Sequence, residues 1–170
     1  MPLDNERELI EITDGNVGGL HSLIEESKRD GYNFLQRTIE DWYSGANKFD
    51  RPGEKLWGLF IGKELVGVGG LNIDPYTLTP KVGRVRHLYV REAQRREGYA
   101  TLIMNKIMEE ASYNFTVLRL FTDNVGASFF YEKLGFKKTK EYKASHFITL
   151  TAHPNEGVLE VTSSRGYNLC

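Results

Sequence analysis

"QRREGYATLI", residues 94–103, sets two arginines, a glycine and a small residue where an apolar helix is about to begin. Immediately before it, "HLYV" (87–90) has the composition of a buried strand. The stretch reads strand, turn, helix start, with positive charge and bare backbone at the junction. The first N–H groups of a helix have no partners within it, and the helix dipole adds partial positive charge there. Such a junction is a seat for an anion, a phosphate above all. Gly98 lets a ligand approach the main chain, Ala100 is small, and Arg95 and Arg96 add donors suited to phosphate oxygens. Taken alone, Arg-x-x-Gly-x-Ala equally fits a solvated loop whose arginines pair with Glu92 or Glu97. Two familiar phosphate loops are excluded: the chain has no Gly-x-x-x-x-Gly-Lys-Ser/Thr and no Gly-x-Gly-x-x-Gly after a first strand.

Outward from this junction, "GRVRHLYV" (83–90) is the strand that feeds it and residues 99–111 form the clearest helix, with Leu102, Ile103, Ile107 and Met108 at helical spacing. "VLRLFT" (117–122) reads as a strand parallel to the first, and "GASFFYEKLG" (126–135) as a short helix closed by Gly135. "FKKTKEY" and "HFITL" suggest a final antiparallel pair. Upstream, "RELIEI" (7–12) reads as a first strand, and Asp14 is placed to cap a helix ending near Gly31. "FLQRTIEDWYSG" (34–45) reads as a second helix and 47–55 as a loop. "LWGLFIGKELVGVGGLNI" (56–73) reads as two strands joined at a tight turn on Gly62. The sum is a mixed α/β (α+β) domain with a mostly antiparallel sheet.

At 170 residues the chain fits one domain with a proper core. We place that domain at residues 1–150 and a tail at 151–170, either disordered or an added edge strand. The charge is balanced, 22 basic against 23 acidic side chains, which disfavours general nucleic-acid binding. No apolar run is long enough for a signal peptide or a membrane span, so the expected location is the cytoplasm. The lone cysteine is Cys170, and four scattered histidines lack ligand spacing, so no metal site is expected.

The neighbourhood of the junction sharpens the reading. "LYVREAQRREGYATLIMNKIME" resembles the acetyl-coenzyme A motif of the GCN5-related N-acetyltransferases (GNAT superfamily), with Arg95, Gly98 and Ala100 at its key positions. "LRLFTDNVGASFFYEKLGFKK" resembles the family's next motif through Asn124, Ala127, Phe130, Tyr131, Gly135 and Phe136. The resemblance covers about residues 6–150. It implies a GNAT-like fold: about seven strands, splayed in the middle, and about four helices. It also implies acetyl-CoA as donor, with its pyrophosphate on the backbone amides of residues 96–101 (Arg96, Glu97, Gly98, Tyr99, Ala100 and Thr101). The pantetheine arm is then expected along Leu88, Tyr89 and Val90, with Arg95, Asn124, Ala127, Phe130 and Tyr131 completing the site.

Tyr131 matches the family's general acid; read from the residues alone it equally fits an aromatic packed beside Phe129 and Phe130. Asn124 either bonds the pantetheine or caps a helix. Many relatives carry a glutamate base on the strand before the loop, but this strand offers only Arg84, Arg86 and His87. His87 has the right intrinsic range for a base, His146 is an outside candidate, and a water chain would also serve. Arg84 and Arg86 share a strand face; with Tyr76 they are candidates to meet the acceptor, while the plain alternative is arginines bridging acidic residues. The resemblance also implies that the N-terminal helical pair and the loop after the third strand shape the acceptor pocket, which makes Trp42, Tyr43 and Tyr76 candidates to line it; the plain alternative for each is core packing. The expected function is acetyl transfer to a primary amine of a small molecule or amino acid. A protein N-terminus or lysine is an alternative acceptor, and a non-catalytic acyl-CoA sensor an alternative role. A homodimer is compatible with the family.

Overall fold

The computed structural model describes residues 6–151; expectations for residues 152–170, including an edge strand and Cys170, lie outside the described residues. Eleven elements follow in order: β1 (Arg7–Glu11), α1 (His21–Arg29), α2 (Phe34–Ser44), β2 (Lys55–Ile61), β3 (Glu64–Ile73), β4 (Val82–Val90), α3 (Tyr99–Asn114), β5 (Val117–Leu120), α4 (Val125–Lys133), β6 (Lys137–Lys138) and β7 (His146–Thr149). The strands form one sheet in the order β1-β2-β3-β4-β5-β7-β6. Every pairing is antiparallel except β4 with β5, which α3 connects. The expected mixed fold, with seven strands and four helices, is the one observed. No helix among the described residues is long and apolar enough to cross a membrane.

Each sheet face buries its own apolar set. One face presents Trp57, Leu59, Leu71 and Val85 to α3, whose Ile103, Met104, Ile107 and Ala111 are fully covered. The other presents Leu56, Val68 and Tyr89 to Leu20, just before α1, and to Leu23, Leu35, Ile39 and Trp42 of the N-terminal helical pair. α3 lies so close to β3 that a Cβ on Gly69 would stand 2.5 Å from Ile103 Cγ2. The "GVGG" run thus lets the helix settle on the strand.

Two local expectations change. Asp14 caps no helix; its carboxylate accepts a hydrogen bond from Trp42 Nε1 at 2.8 Å and pairs with Lys48 Nζ at 3.1 Å. β5 ends at Leu120, two residues early, because Thr122 N–H turns to Ser145 Oγ at 2.8 Å.

Two irregularities shape the site. β4 pairs with β5 only through Val82–Arg84 against Val117–Arg119, so residues 85–90 of β4 have no β5 partner and the sheet opens into a V. Opposite β3, the register moves from Val68↔Tyr89 to Gly70↔Arg86, leaving Gly69 to face both His87 and Leu88. This is a β-bulge. His87 takes the left-handed conformation there, φ 59°, which is uncommon for a residue with a side chain.

Candidate active site

The vertex of the V is ionic. Arg84 and Arg119 are cross-strand partners, and like charges in that position repel. Asp74 resolves the conflict: its buried Oδ2 lies 3.3 Å from Arg84 Nη1 and 3.2 Å from Arg119 Nε. Arg84 also donates to Lys143 O at 2.7 Å and stacks its guanidinium over Tyr76, 4.9 Å from the ring centroid. Arg119 reaches Glu141 at 3.4 Å and donates to Tyr142 O. Arg84 is therefore neither a surface arginine nor a free one. Asp74 and Arg119 were not singled out in the sequence, although an arginine inside the apolar run "VLRLF" was the available signal, since a buried charge demands a partner.

Above the vertex the V encloses a cleft of about 520 Å³. One wall is β4 from Arg84 to Val90, with the bulged His87 in it; the other is the segment from Leu120 to Asn124, with Ala127 and Tyr131 of α4. Tyr131 is 8% exposed and packs edge-on against Phe130 and Phe136, with ring centroids at 5.2 and 5.7 Å. Its hydroxyl has no hydrogen-bond partner among the described residues, and burial raises its pKa above the ordinary phenol value. It holds its proton throughout the neutral range. Asn124 caps α4, its Oδ1 accepting from Ala127 N–H at 2.9 Å, and it also borders the cleft.

His87 packs against Phe34 and Phe49, with ring centroids at 5.7 and 6.1 Å. Burial, and then the charges of Arg86 and Arg37, push its pKa down to about 3. A nitrogen that weak takes up little proton at neutral pH. His146 does not border this cleft, and both its ring nitrogens are engaged, Nε2 with Ser128 Oγ at 2.9 Å and Nδ1 with Ser145 Oγ at 2.8 Å. Tyr76 supports Arg84 from outside the cleft, Trp42 is in the core, and Tyr43 is 65% exposed on the surface.

The junction loop adjoins the outer end of the cleft, in a second hollow of about 330 Å³ lined by Arg95, Arg96, Gly98, Tyr99, Ala100, Thr101 and Phe130. Arg96 and Gly98 both have positive φ, 66° and 81°. The N–H groups of residues 96–101 have no acceptor among the described residues. A Cβ on Gly98 would project into open space, the space a ligand needs. Gln94, which sequence reading passed over, also lines the hollow and carries a buried Oε1 without a partner. The loop thus offers unpaired backbone donors and a bare glycine, which fits a pyrophosphate, while Gln94 Oε1 is an acceptor that a ligand donor, not a phosphate oxygen, would satisfy. The unpaired edge of β4 fits an extended amide-bearing arm.

Arg95 departs from the simple picture of a phosphate donor. Its Nη2 donates to Asp30 Oδ2 at 2.6 Å and its Nε to Val90 O at 2.9 Å. Burial opposes its charge, but the Asp30 bond and the nearby negative charge outweigh it and raise the pKa. The Tyr89 hydroxyl lies 2.7 Å from Glu26 Oε2 and 2.8 Å from Asp30 Oδ2, so α1 is tied to the strand and to the loop.

Comparison with known proteins agrees with this geometry. The family model described as "Acetyltransferase (GNAT) family" matches residues 19–136. Human N-acetyltransferase 8 is 32% identical over 91 residues, 51% of this chain; the match spans 40% of that relative's length. A solved protein from Exiguobacterium sp. 255-15 shares the fold with a TM-score of 0.75 at 23% identity, over 85% of this chain and 93% of that one. An acetyltransferase from Thermus thermophilus does so with a TM-score of 0.68 at 16% identity, over 86% and 99%.

Proposed function

The chain belongs to the acetyltransferase (GNAT) family, and from that premise we propose that it transfers an acetyl group from acetyl-CoA to a primary amine of a small molecule or amino acid. The observation that carries this reading is the cleft itself: a sheet opened beside an unspent backbone nest, with a protonated phenol in its wall.

Acetyl-CoA supplies an activated thioester. The residues that would hold it are the backbone of 96–101 at the pyrophosphate, and the stretch of β4 without a β5 partner, Leu88–Val90, at the pantetheine. Arg95 acts as a positioning residue, fastening α1 to the loop through Asp30. Tyr131 Oη holds a proton at the cleft for the departing sulfur. Its raised pKa suits an acid that must stay protonated until the bond to sulfur breaks. We assign the amine's own proton to solvent water at the open mouth of the cleft rather than to His87, whose basicity is too low. Acetyl transfer to the neutral amine thus forms one C–N bond and breaks one C–S bond; Tyr131 gives its proton to sulfur, the amine gives one to solvent, and solvent returns one to Tyr131, so the amide and the thiol are the only products.

The test is calorimetric titration with acetyl-CoA, beside a Gly98→Trp variant whose fold is checked by circular dichroism. Binding by the parent and loss in a folded variant support the reading; no binding by the parent overturns it. Thiol release with a panel of primary amines then separates an enzyme from a sensor, which would bind acetyl-CoA and release none.

A further inference from the structure

We propose that the acetyl acceptor carries a carboxylate beside its amine and that Arg86 is the residue that binds this carboxylate; the inference rests on the acetyl-transfer reading above. Among the described residues, three arginines border the cleft: Arg84, Arg86 and Arg95. Two are committed inside the protein, Arg84 to buried Asp74 and Arg95 to Asp30. Arg86, half-buried in the β4 wall, has no carboxylate or carbonyl partner among the described residues.

Four charged or titratable groups act electrostatically on Arg86. They are Arg84 on its own strand, Asp74 and Tyr76 before it, and Asp41 on α2. Burial and the like charge of Arg84 both work against its guanidinium, more than those acids help it. A guanidinium nevertheless keeps its proton. Arg86 is thus a standing cation in a partly dehydrated wall, short of an anion. Among the described residues, Asp123 is the one acidic residue that lines the cleft, on the opposite wall.

A carboxylate fits better than a phosphate. One free guanidinium offers one fork, which two carboxylate oxygens satisfy. A phosphate dianion calls for more than one cation, and the neighbouring arginines are already neutralised. The same positive wall repels an ammonium, so it favours the neutral amine that acetyl transfer needs. The β4 strand thereby replaces a carboxylate base with a cation that docks the acid and discourages protonation of the amine.

The probes are matched sets: α-amino acids, their amides and the corresponding decarboxylated amines, each followed by thiol release from acetyl-CoA. The parent should prefer the acids by at least roughly tenfold in kcat/KM. Arg86→Gln should lower kcat/KM for the acids by roughly 10- to 100-fold, the range for a hydrogen bond to a charged group, and for the amides far less. Arg86→Lys should recover part of the preference, and KM for acetyl-CoA should move less than about threefold. Equal use of acids and amides by the parent overturns the proposal while acetyl transfer stands. So does an equal loss on both in Arg86→Gln, or an effect confined to acetyl-CoA. If no amine releases thiol, the CoA complex is titrated with N-acetylated amino acids and their amides. Selective binding of the acids that Arg86→Gln abolishes supports the proposal; equal binding, or none, overturns it.

Discussion

Tyr131→Phe separates chemistry from packing more cleanly than any other single change. The substitution deletes one oxygen and keeps the ring, with its edge-on contacts to Phe130 and Phe136. That oxygen has no hydrogen-bond partner among the described residues, so its removal breaks no bond within the protein. Stability should stay within about 0.5 kcal/mol of the parent by urea denaturation, as for a change that creates neither a cavity nor an unpaired group. Activity should respond very differently. A positioned general acid contributes about 10²- to 10⁴-fold, which is roughly 3–5 kcal/mol of barrier. The assay is kcat/KM from thiol release with the best amine found in the panel, alongside acetyl-CoA affinity by calorimetry. Affinity for acetyl-CoA should change little, because the proton is used during transfer rather than in binding.

The pH profile adds a second constraint. Tyr131 is buried and its pKa lies above the ordinary value of 10.0, so the parent should show no alkaline fall from this group below about pH 10. Two results would refute the reasoning. A variant that keeps more than about a third of parental kcat/KM shows that Tyr131 supplies no proton. A variant that loses more than about 2 kcal/mol of stability shows that the hydroxyl has a structural partner, contrary to its unbonded position in the cleft wall.

Further changes test the frame around the site. Asp74→Asn leaves Arg84 and Arg119 buried without their shared carboxylate, which should cost about 3–5 kcal/mol and lower Tm by roughly 10 °C; a shift under about 2 °C by calorimetry would count against the clamp. Asp30→Asn should destabilise the protein at neutral pH and weaken acetyl-CoA binding by loosening Arg95. Hydrogen bonds from Arg95 and then Tyr89 hold the Asp30 pKa below 3.8, so its contribution is present above that pH and is lost as pH falls through the folded value. The gap between parent and variant in urea midpoints should therefore close on acidification below about pH 4, and a gap that widens there would reverse the assignment.

The elements around the junction were legible because their signals are local. The strand into "HLYV", the helical spacing from Tyr99 to Ala111 and the cap at Asn124 each lie within a few residues of the feature they set, and the observed elements fall within one to three residues of the expected ends. What escaped was non-local or conformational. Asp14 is drawn from capping to Trp42 and Lys48, 28 and 34 residues away. Arg95 is held by Asp30, 65 residues earlier, a pairing that exists only once α1 lies against β4. His87 was legible as a histidine and not as a bulge; nothing in its neighbours announces a positive φ, which arises because Gly69 faces two residues rather than one.

The vertex joins these threads. A ligand arm can enter a sheet only where two neighbouring strands stop pairing, and β4 and β5 stop at Arg84 and Arg119. Apolar partners at that position would favour continued pairing, whereas two cations disfavour it unless an anion stands between them. Asp74 stands there from the end of β3, and its carboxylate holds the vertex closed while the strands diverge beyond it. Two residues along the same face comes Arg86, the same side chain without an internal anion. The wall thus alternates a satisfied arginine that fixes the opening with an unsatisfied one that faces it. If the acceptor is acidic, as proposed, a glutamate on β4 within reach of Arg86 would work against its binding by neutralising that cation.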